Sequence, residues 1–343
     1  MNDLGVLSYA AYVPRQRLRK EEVLKAWGRF ASAEVQVKAV PGFDEDALTM
    51  AAEAAAGAVA AWEAMGGDRQ SIHTLALAST SLPYDEKVES GALGTMLGLR
   101  ETIYSTEHTA STKAGGEALL SAVYRLASRS EGAALVVASD APQADPLSDI
   151  EHALGAGAAA FVLGPRNEAI CTVEAELSAA AEQLGVRFRP RGAERLEDLG
   201  LPRYREQGAA GLISRTVQRL LLELGRSTSD YRYLVAPRGT AARLGCAPGE
   251  TEEISLAREI GDAGAALPLL GLVAALDRAQ AGERILLVAY GSGQGCHCLS
   301  LEALPRAASS PRDVWRRAVD DRAGYIDYLQ YLKLRGAFGP PAR

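Results

Sequence analysis

The chain has 343 residues, of which 48% are hydrophobic and 23% charged, and its formal net charge at pH 7 is −6. This length is enough for two domains, or for one large layered α/β unit with a sizeable core. The mildly acidic balance, without any basic block, argues against nucleic-acid binding. The cysteines lack zinc-site spacing, and no apolar run reaches the ~18 residues of a membrane span. We therefore expect a cytoplasmic protein with reduced thiols, no metal ion and no membrane contact.

The first part of the chain predicts alternating strands and helices. Apolar runs predict strands at 4–12, 74–79, 101–106, 133–139 and 155–164. Amphipathic or alanine-rich segments predict helices at 20–27, 44–65, 88–97 and 117–130.

A turn rich in small residues, His108–Gly116, lies between a predicted strand and a long predicted helix. A tight strand-to-helix turn exposes one side chain and directs free backbone N–H groups towards a ligand. This is where a nucleophile usually lies, and the candidates in this turn are Ser111 and Thr112.

The second part of the chain repeats the first. It predicts strands at 172–177, 231–235, 284–290 and 296–304, and helices at 208–225, 250–260 and 262–276. Segments 112–139 and 262–290 have the same order of turn, helix and apolar strand. Such a duplication predicts two mixed sheets around buried helices. We expect equivalent loops to meet at one central site, namely loops 80–84, 111–116, 236–239, 262–266 and 291–295.

Several motifs resemble those of a known family. They are Tyr9–Arg15, Ala39–Asp46, Lys113–Gly115, Glu151, Gly155–Gly164, Leu269–Leu272, Tyr290–Gly293, Tyr325–Tyr328 and Arg335–Gly336. Together they resemble the thiolase superfamily, and within it archaeal-type 3-hydroxy-3-methylglutaryl-CoA synthases and ketoacyl-synthase-III-like proteins. The resemblance implies an α/β, thiolase-like duplicated fold in five layers, αβαβα. It also implies an N-terminal half at 1–165 and a C-terminal half at 166–343. The aromatic-rich tail of the second half, 315–334, would suit docking to a partner, and a helix packed on its own domain is the alternative.

The same resemblance implies that the family's catalytic positions are degenerate here. Thr112 stands where the family has its acyl-carrying cysteine, and Thr80 stands where it has the glutamate acid/base. Val235 occupies the histidine position, and Asp262 occupies that of an asparagine.

These replacements would remove the acyl-transfer chemistry, because an alcohol has a much higher pKa than a thiol and needs a positioned base. Valine can neither accept a proton nor stabilise an oxyanion. His108 is the one titratable candidate for a replacement base near the turn, and His297 could face the central site. We therefore expect no catalytic residues in this chain.

Three functions remain open. The first is a non-catalytic, synthase-like subunit of a heteromeric acyltransferase, similar to that of the multicomponent phloroglucinol acyltransferases. Its partners would be a thiolase-like catalytic subunit and a zinc-ribbon/OB-fold protein, around a homodimeric core. The second is an active acyltransferase with a Thr or Ser nucleophile, and the third is an acyl-CoA-binding regulatory module.

The chain is expected to hold no cofactor of its own, and a coenzyme A thioester is its possible ligand. Candidate binding residues are Ser111, Thr112, Lys113, Arg238, Gly291, Ser292 and Gly293. Arg203 and Arg205 are further candidates for neutralising phosphates.

Overall fold

The computed structural model describes residues 3–129, 132–146, 148–181, 187–199, 202–293, 295–306, 313–320 and 323–338, with the backbone alone for 202–207. The strands are β1 (Leu4–Tyr12), β2 (Gln16–Arg19), β3 (Val37–Val40), β4 (Ile72–Ala78), β5 (Tyr104–His108), β6 (Ala133–Asp140), β7 (Gly157–Pro165), β8 (Cys171–Ala180), β9 (Tyr233–Val235), β10 (Glu252–Ile254), β11 (Arg284–Gly291), β12 (Gly295–Ala303) and β13 (Gly324–Ile326). The helices are α1 (Lys20–Trp27), α2 (Ala47–Glu63), α3 (Ser90–Met96), α4 (Ala114–Ala127), α5 (Pro202–Leu224), α6 (Thr240–Arg243), α7 (Ala257–Ile260), α8 (Leu267–Leu276), α9 (Val314–Asp320) and α10 (Tyr328–Leu334).

The duplication predicted from the sequence is present in the strand order. The first half runs β1-β7-β6-β4-β5, and the second half runs β8-β12-β11-β9-β10. Strand directions agree as well: β6 and β11 each pair antiparallel with one neighbour and parallel with the other. The two halves therefore contain the same five-stranded mixed sheet.

The two sheets are joined edge to edge, whereas the sequence predicted two separate sheets. Strand β1 pairs with β8 through Gly5↔Thr172 and Val6↔Cys171, which gives one ten-stranded order. Gly5 permits this approach, because a Cβ there would lie 2.2 Å from the Cys171 carbonyl oxygen.

The five-layer αβαβα arrangement is confirmed. Helices α4 and α8 contribute to the central apolar core between the sheet halves. Helix α2 packs on the outer face of the first half, and α5 packs on that of the second. The central helices approach closely because small residues face each other: a Cβ on Gly115 would lie 2.3 Å from the Ala265 carbonyl oxygen.

The predicted helix at 250–260 was wrong in its first part. Residues Glu252–Ile254 form the edge strand β10, parallel to β9, and only Ala257–Ile260 is helical. The extended backbone lets the Glu253 carboxylate accept hydrogen bonds from the backbone N–H groups of Gly239 and Ala241, both at 2.9 Å. A tertiary contact at the start of α6 thus overrides the local helix preference.

The C-terminal tail packs largely on its own chain. Strand β13 extends the three-stranded sheet β13-β2-β3, and Trp315 and Tyr331 are buried. The Lys38 ammonium, itself buried, donates to Glu151 Oε1 at 3.1 Å and to the Tyr331 hydroxyl at 3.0 Å. Partner docking by this tail stays a prediction, and it would depend on the exposed side chains of the tail. The boundary between the halves at residue 165 also stays a prediction.

Candidate functional site

Loops from both halves enclose a pocket of about 390 Å³. Four of the five predicted loops contribute to it, through Thr112, Pro237, Asp262 and Ser292. Loop 80–84 does not belong to this lining. The polar residues of the lining are Ser32, Glu34, Thr112, Arg187, Asp198, Arg238, Ser255, Asp262, Tyr290 and Ser292.

Thr112 lies in the turn that leads from β5 into α4. The Ala114 N–H donates to the Ser111 carbonyl at 2.9 Å, which closes the turn, and α4 begins at Ala114 rather than at the predicted Glu117. The Thr112 hydroxyl lines the pocket and donates to the Tyr290 carbonyl oxygen at 3.0 Å. Its proton is thus directed to a backbone acceptor that cannot act as a general base.

Val235 and Asp262 lie on the same pocket as Thr112. Val235, the last residue of β9, is buried against the Gly271 backbone of α8, where a Cβ would meet its Cγ1 at 2.4 Å. Asp262 Oδ2 accepts from Arg187 Nη1 at 2.7 Å, and Oδ1 accepts from the Gly264 N–H at 2.9 Å. This carboxylate is therefore held in an ion pair and a turn.

Thr80 lies outside the pocket but is linked to it through Asp140. The Thr80 hydroxyl donates to Asp140 Oδ2 at 2.7 Å, and the same oxygen accepts from the Ala265 N–H at 2.8 Å. Asp140 is fully buried at the end of β6 and also accepts from the Ser81 hydroxyl. The sequence analysis missed this residue, although a carboxylate ending the apolar run 133–139 was a visible signal.

The remaining candidate binding residues fall into two groups. Arg238 and Ser292 line the pocket, whereas Ser111, Lys113, Gly291 and Gly293 are not part of its lining. Gly291 lies against the turn instead, since a Cβ there would be 2.4 Å from Ser111 Oγ. The side chains of Arg203 and Arg205 lie outside the described residues.

Two candidate histidines gather around Glu117 on the first turn of α4. His108 Nδ1 lies 4.0 Å from Glu117 Oε2, and His297 Nε2 lies 3.6 Å from Glu117 Oε1. Burial lowers the pKa of both imidazoles, and the Lys113 ammonium acts in the same direction. Neither histidine lines the pocket, so neither supplies a base to Thr112.

Two further pocket residues were not found from the sequence, Arg187 and Tyr290. Arg187 Nη2 and the Tyr290 hydroxyl are buried, and neither atom has a hydrogen-bond partner among the described residues. Arg187 belongs to a segment without a recognisable motif, whereas Tyr290 opens the motif Tyr290–Gly293 but was not singled out as a binding residue. Only the folded chain brings both residues to one pocket.

The described pocket lining contains neither histidine nor cysteine. Its carboxylates have partners: Asp262 pairs with Arg187, Glu34 accepts from the Ser255 hydroxyl at 2.6 Å, and Asp198 also interacts with a neighbour. The pocket can therefore hold a ligand through apolar contacts and hydrogen bonds, but it presents no nucleophile paired with a base.

Within the described ranges, no cluster of three or more His, Cys, Asp or Glu residues could hold a metal ion. The described helices include none that is long and apolar enough to cross a membrane.

Comparison with known sequences gives full-length matches. The chain is 31% identical over 348 residues to a hydroxymethylglutaryl-CoA synthase of Thermococcus gammatolerans, covering 97% of this chain and 96% of that protein. It is 31% identical over 350 residues to the synthase of Pyrococcus furiosus, covering 98% and 97% of the two chains. No family model matches the chain.

Comparison with solved structures identifies the same fold. MvaS in complex with 3-hydroxy-3-methylglutaryl coenzyme A superposes with a TM-score of 0.84 at 20% identity, over 100% of this chain and 94% of that one. An HMG-CoA synthase complexed with CoA gives a TM-score of 0.82 at 16% identity, over 99% and 92%. The HMG synthase of the curacin biosynthetic pathway, in complex with acetyl donor-ACP, gives 0.79 at 18% identity, over 97% and 88%.

Proposed function

The chain belongs to the hydroxymethylglutaryl-CoA synthase family, and on this premise we propose that it is a non-catalytic subunit of a heteromeric, thiolase-type acyltransferase complex acting on acyl-CoA thioesters. The observation that carries the proposal is the Thr112 hydroxyl, which is bonded to the Tyr290 carbonyl in a pocket whose described lining has no histidine or cysteine.

Acyl transfer through a covalent intermediate needs a nucleophile that is at least partly ionised. A threonine hydroxyl without a base is almost fully protonated at neutral pH. Residues that act as a catalytic unit lose their effect together, so one retained hydroxyl preserves little of the rate. The degenerate positions Thr80, Thr112, Val235 and Asp262 are each held by structural contacts.

A direct test is incubation of the purified protein with radiolabelled acetyl-CoA, followed by intact-mass measurement. We expect no covalent adduct and no acyl transfer, with the same result for Thr112→Ala. An adduct that forms on the wild type and disappears in Thr112→Ala would overturn the proposal in favour of an active acyltransferase with a threonine nucleophile.

A second copy of the chain is the partner proposed for the β5 edge. Strand β5 ends the described sheet order, and its residues are partly exposed. Open edges that remain unpaired are prone to association. Tyr104 is the first residue of β5 and is 49% exposed, and Met96 is the last residue of α3 and is 53% exposed. Both side chains would be covered in a homodimer.

The thiolase-like catalytic subunit and the zinc-ribbon/OB-fold protein require a different surface. We assign them to the α1–α10 patch, formed by Leu24, Trp27 and Leu329, which are exposed by 36%, 42% and 53%. A hydrogen bond joins the two helices at this patch, from the Trp27 indole N–H to the Tyr328 hydroxyl at 2.6 Å. An exposed tryptophan flanked by leucines suits protein recognition.

Co-expression with the thiolase-like and OB-fold candidates tests this assignment. The wild type should co-purify with them, whereas Leu329→Glu should lose the partners and keep its own fold. Leu222→Glu, which changes an exposed leucine on α5, serves as the matched control. Failure of the wild type to co-purify with either candidate would contradict the complex.

A coenzyme A thioester is the ligand proposed for the pocket, and such a ligand also fits an alternative function, an acyl-CoA-binding regulatory module. The chain has a pocket at this place, and similar structures hold CoA or its HMG thioester. Arg238 and Ser292 line it, so Arg238→Gln should weaken acetyl-CoA binding in calorimetry. The absence of any binding heat would contradict the module.

A further inference from the structure

Residues 187–198 form a small hairpin at the edge of the pocket. Phe188 and Glu197 exchange both of their backbone hydrogen bonds, at 2.9 and 2.8 Å. The two ends of the hairpin, Arg187 and Asp198, line the pocket. The 187–198 hairpin therefore supplies part of the pocket wall.

The hairpin has no apolar anchor in the described core. None of residues 187–199 is buried, and none belongs to the apolar clusters of the described chain. The Phe188 side chain is 40% exposed, whereas Val235 and Val288 of the same pocket wall are buried in those clusters. Apolar burial is the dominant favourable term in folding, so a segment without it opens at a lower free-energy cost than the core.

The hairpin is held to the body of the protein by polar contacts. The Leu196 N–H donates to the Gln143 carbonyl oxygen at 2.7 Å. Arg195 Nη1 lies 3.5 Å from Asp145 Oδ2, but both side chains are about half exposed, so this ion pair adds little stability. Asp198 also interacts with a neighbour.

The ion pair between Arg187 and Asp262 is better shielded. Arg187 Nη1 lies 2.7 Å from Asp262 Oδ2, and the two side chains are 13% and 35% exposed. The Asp262 end is fixed to the body, because its Oδ1 accepts from the Gly264 N–H at 2.9 Å and its own N–H donates to the Ala153 carbonyl at 2.7 Å. Shielding reduces the screening of the charges, so this pair holds the hairpin more strongly than the exposed pair does.

The closed position of the hairpin also has a free-energy cost. Arg187 Nη2 is buried, and it has no hydrogen-bond partner among the described residues. A buried donor without an acceptor is unfavourable, and water would satisfy it once the hairpin opened. This cost offsets part of the stabilisation from the ion pair, so the open position lies within reach of thermal motion.

We propose that the 187–198 hairpin is a gate of the pocket and that the Arg187–Asp262 ion pair is its latch. When the ion pair opens, the hairpin detaches, the wall formed by its two ends withdraws, and a ligand can enter on this side. Asp262 stands where the family resemblance places an asparagine, which could not form the ion pair. The inference goes beyond the proposed function. It needs neither a partner chain nor coenzyme A, and its tests use neither, so each can fail without the other.

Hydrogen–deuterium exchange of the purified full chain, read by mass spectrometry, tests the latch. Asp262→Asn and Arg187→Gln should each speed exchange in the 187–198 hairpin about ten-fold, while exchange in α4 stays unchanged. Asp320→Asn, which breaks the exposed pair with Arg316, is the control and should change neither. Unchanged exchange in the hairpin, or an equal increase in α4, would overturn the proposal.

The double variant Arg187→Gln with Asp262→Asn tests whether the two side chains act as one contact. Each single substitution already breaks the ion pair, so the double variant should exchange about as fast as the single variants. Multiplied effects, on the order of a hundred-fold, would contradict a shared latch.

A thiol placed in the pocket tests access. Thr112→Cys puts a reporter on the lining, and its alkylation by iodoacetamide is followed by intact mass. On this background, Asp262→Asn and Arg187→Gln should each speed alkylation about five-fold or more, as the gate opens more often. Native Cys246, outside the pocket lining, should react at the same rate throughout.

The two substitutions also separate access from electrostatics. Loss of the Asp262 anion would lower the pKa of a nearby thiol, and loss of the Arg187 cation would raise it, so charge alone would shift the two alkylation rates in opposite directions. Opposite shifts, or unchanged rates in both variants, would refute the gate.

Discussion

Asp140 links the two halves of the molecule at the scale of a single residue. Its carboxylate accepts from Thr80 of the first half and from the Ala265 N–H of the second. Gly264, with a φ of +53°, leaves room for it, because a Cβ there would be 2.1 Å from Asp140 Oδ2. The backbone around the pocket thus depends on a buried anion that takes no part in lining it.

Asp140→Asn should destabilise the protein strongly. The amide would place N–H groups opposite donors that now reach carboxylate oxygens, and we expect the free energy of unfolding to fall by about 3 kcal/mol. Urea denaturation followed by circular dichroism measures the change. Asp320→Asn is the control, because its pair with Arg316 is exposed and should contribute less than about 0.5 kcal/mol. Equal effects of the two substitutions would contradict the role of Asp140.

Gly291 shows how tightly the hairpin of β11 and β12 packs on the turn. A Cβ at this position would lie 2.4 Å from Ser111 Oγ and 2.8 Å from the backbone nitrogen of Lys113. We expect Gly291→Ala to lower the free energy of unfolding by about 1–3 kcal/mol through overpacking. Gly91→Ala, in helix α3 with open space around it, should be neutral or stabilising by up to about 1 kcal/mol in the same urea titration.

The amino-acid sequence alone predicted the turn at 108–116 and shows that this turn contains no cysteine. It could not predict that the Thr112 hydroxyl donates to Tyr290, or that Asp262 pairs with Arg187, because both contacts join segments far apart in the chain. Sequence spacing carries no information on such pairs.

At the scale of elements, His152 connects the loop after β6 to the segment between α1 and β3. Its Nδ1 accepts a hydrogen bond from the Ala31 N–H at 2.9 Å. Its ring stacks on that of Phe30, with 5.2 Å between the ring centroids. A protonated imidazole could not accept that bond. Burial lowers the pKa of His152, and the Lys38 charge acts in the same direction.

The stability of the protein should therefore fall as the pH falls below about 6.5. The unfolded state binds a proton on His152 that the folded state resists, so this group alone contributes a slope of up to about 1.4 kcal/mol per pH unit to the decrease in unfolding free energy. His108 and His297, whose pKa values are also lowered by burial, contribute in the same direction. His152→Gln should show a shallower dependence between roughly pH 6.5 and 5. Urea denaturation at several pH values measures both slopes.

Phe30→Leu is the matched control for this titration. It removes the ring stacking but keeps an apolar side chain beside the imidazole, so stability should drop at every pH while most of the burial of His152, and with it most of the slope, remains. The same slope in the wild type and in His152→Gln would show that another group controls the pH response.

Most elements followed from apolar periodicity, and β1 and α1 have the predicted bounds. The strands that the sequence did not predict are short or lie at the edge of a sheet. Strand β10 was predicted as helix, and β2, β3 and β13 were not predicted. A strand of three or four residues has too little pattern of its own, and its pairing partner decides its conformation.

At the scale of the whole molecule, the proposed homodimer gives a direct prediction. Introduction of charge at the β5 edge, by Met96→Glu with Tyr104→Glu, should convert a dimer into a monomer. Light scattering coupled to size-exclusion chromatography measures the mass. Leu329→Glu on the α1–α10 patch should leave the dimer intact, so the two surfaces can be separated experimentally. A wild-type monomer at micromolar concentration would contradict the β5 interface.

The sequence by itself determined the class of fold, the duplication and the family, because apolar periodicity and motif order repeat along the chain and need no knowledge of distant contacts. It also predicted that Thr80, Thr112, Val235 and Asp262 stand at degenerate catalytic positions. Only the tertiary structure decided what these residues contact: Thr80 is held outside the pocket by Asp140, and Asp262 is neutralised by Arg187. The physical reason is that hydrogen bonds and ion pairs form between side chains brought within about 3 Å by folding, whatever their separation in sequence.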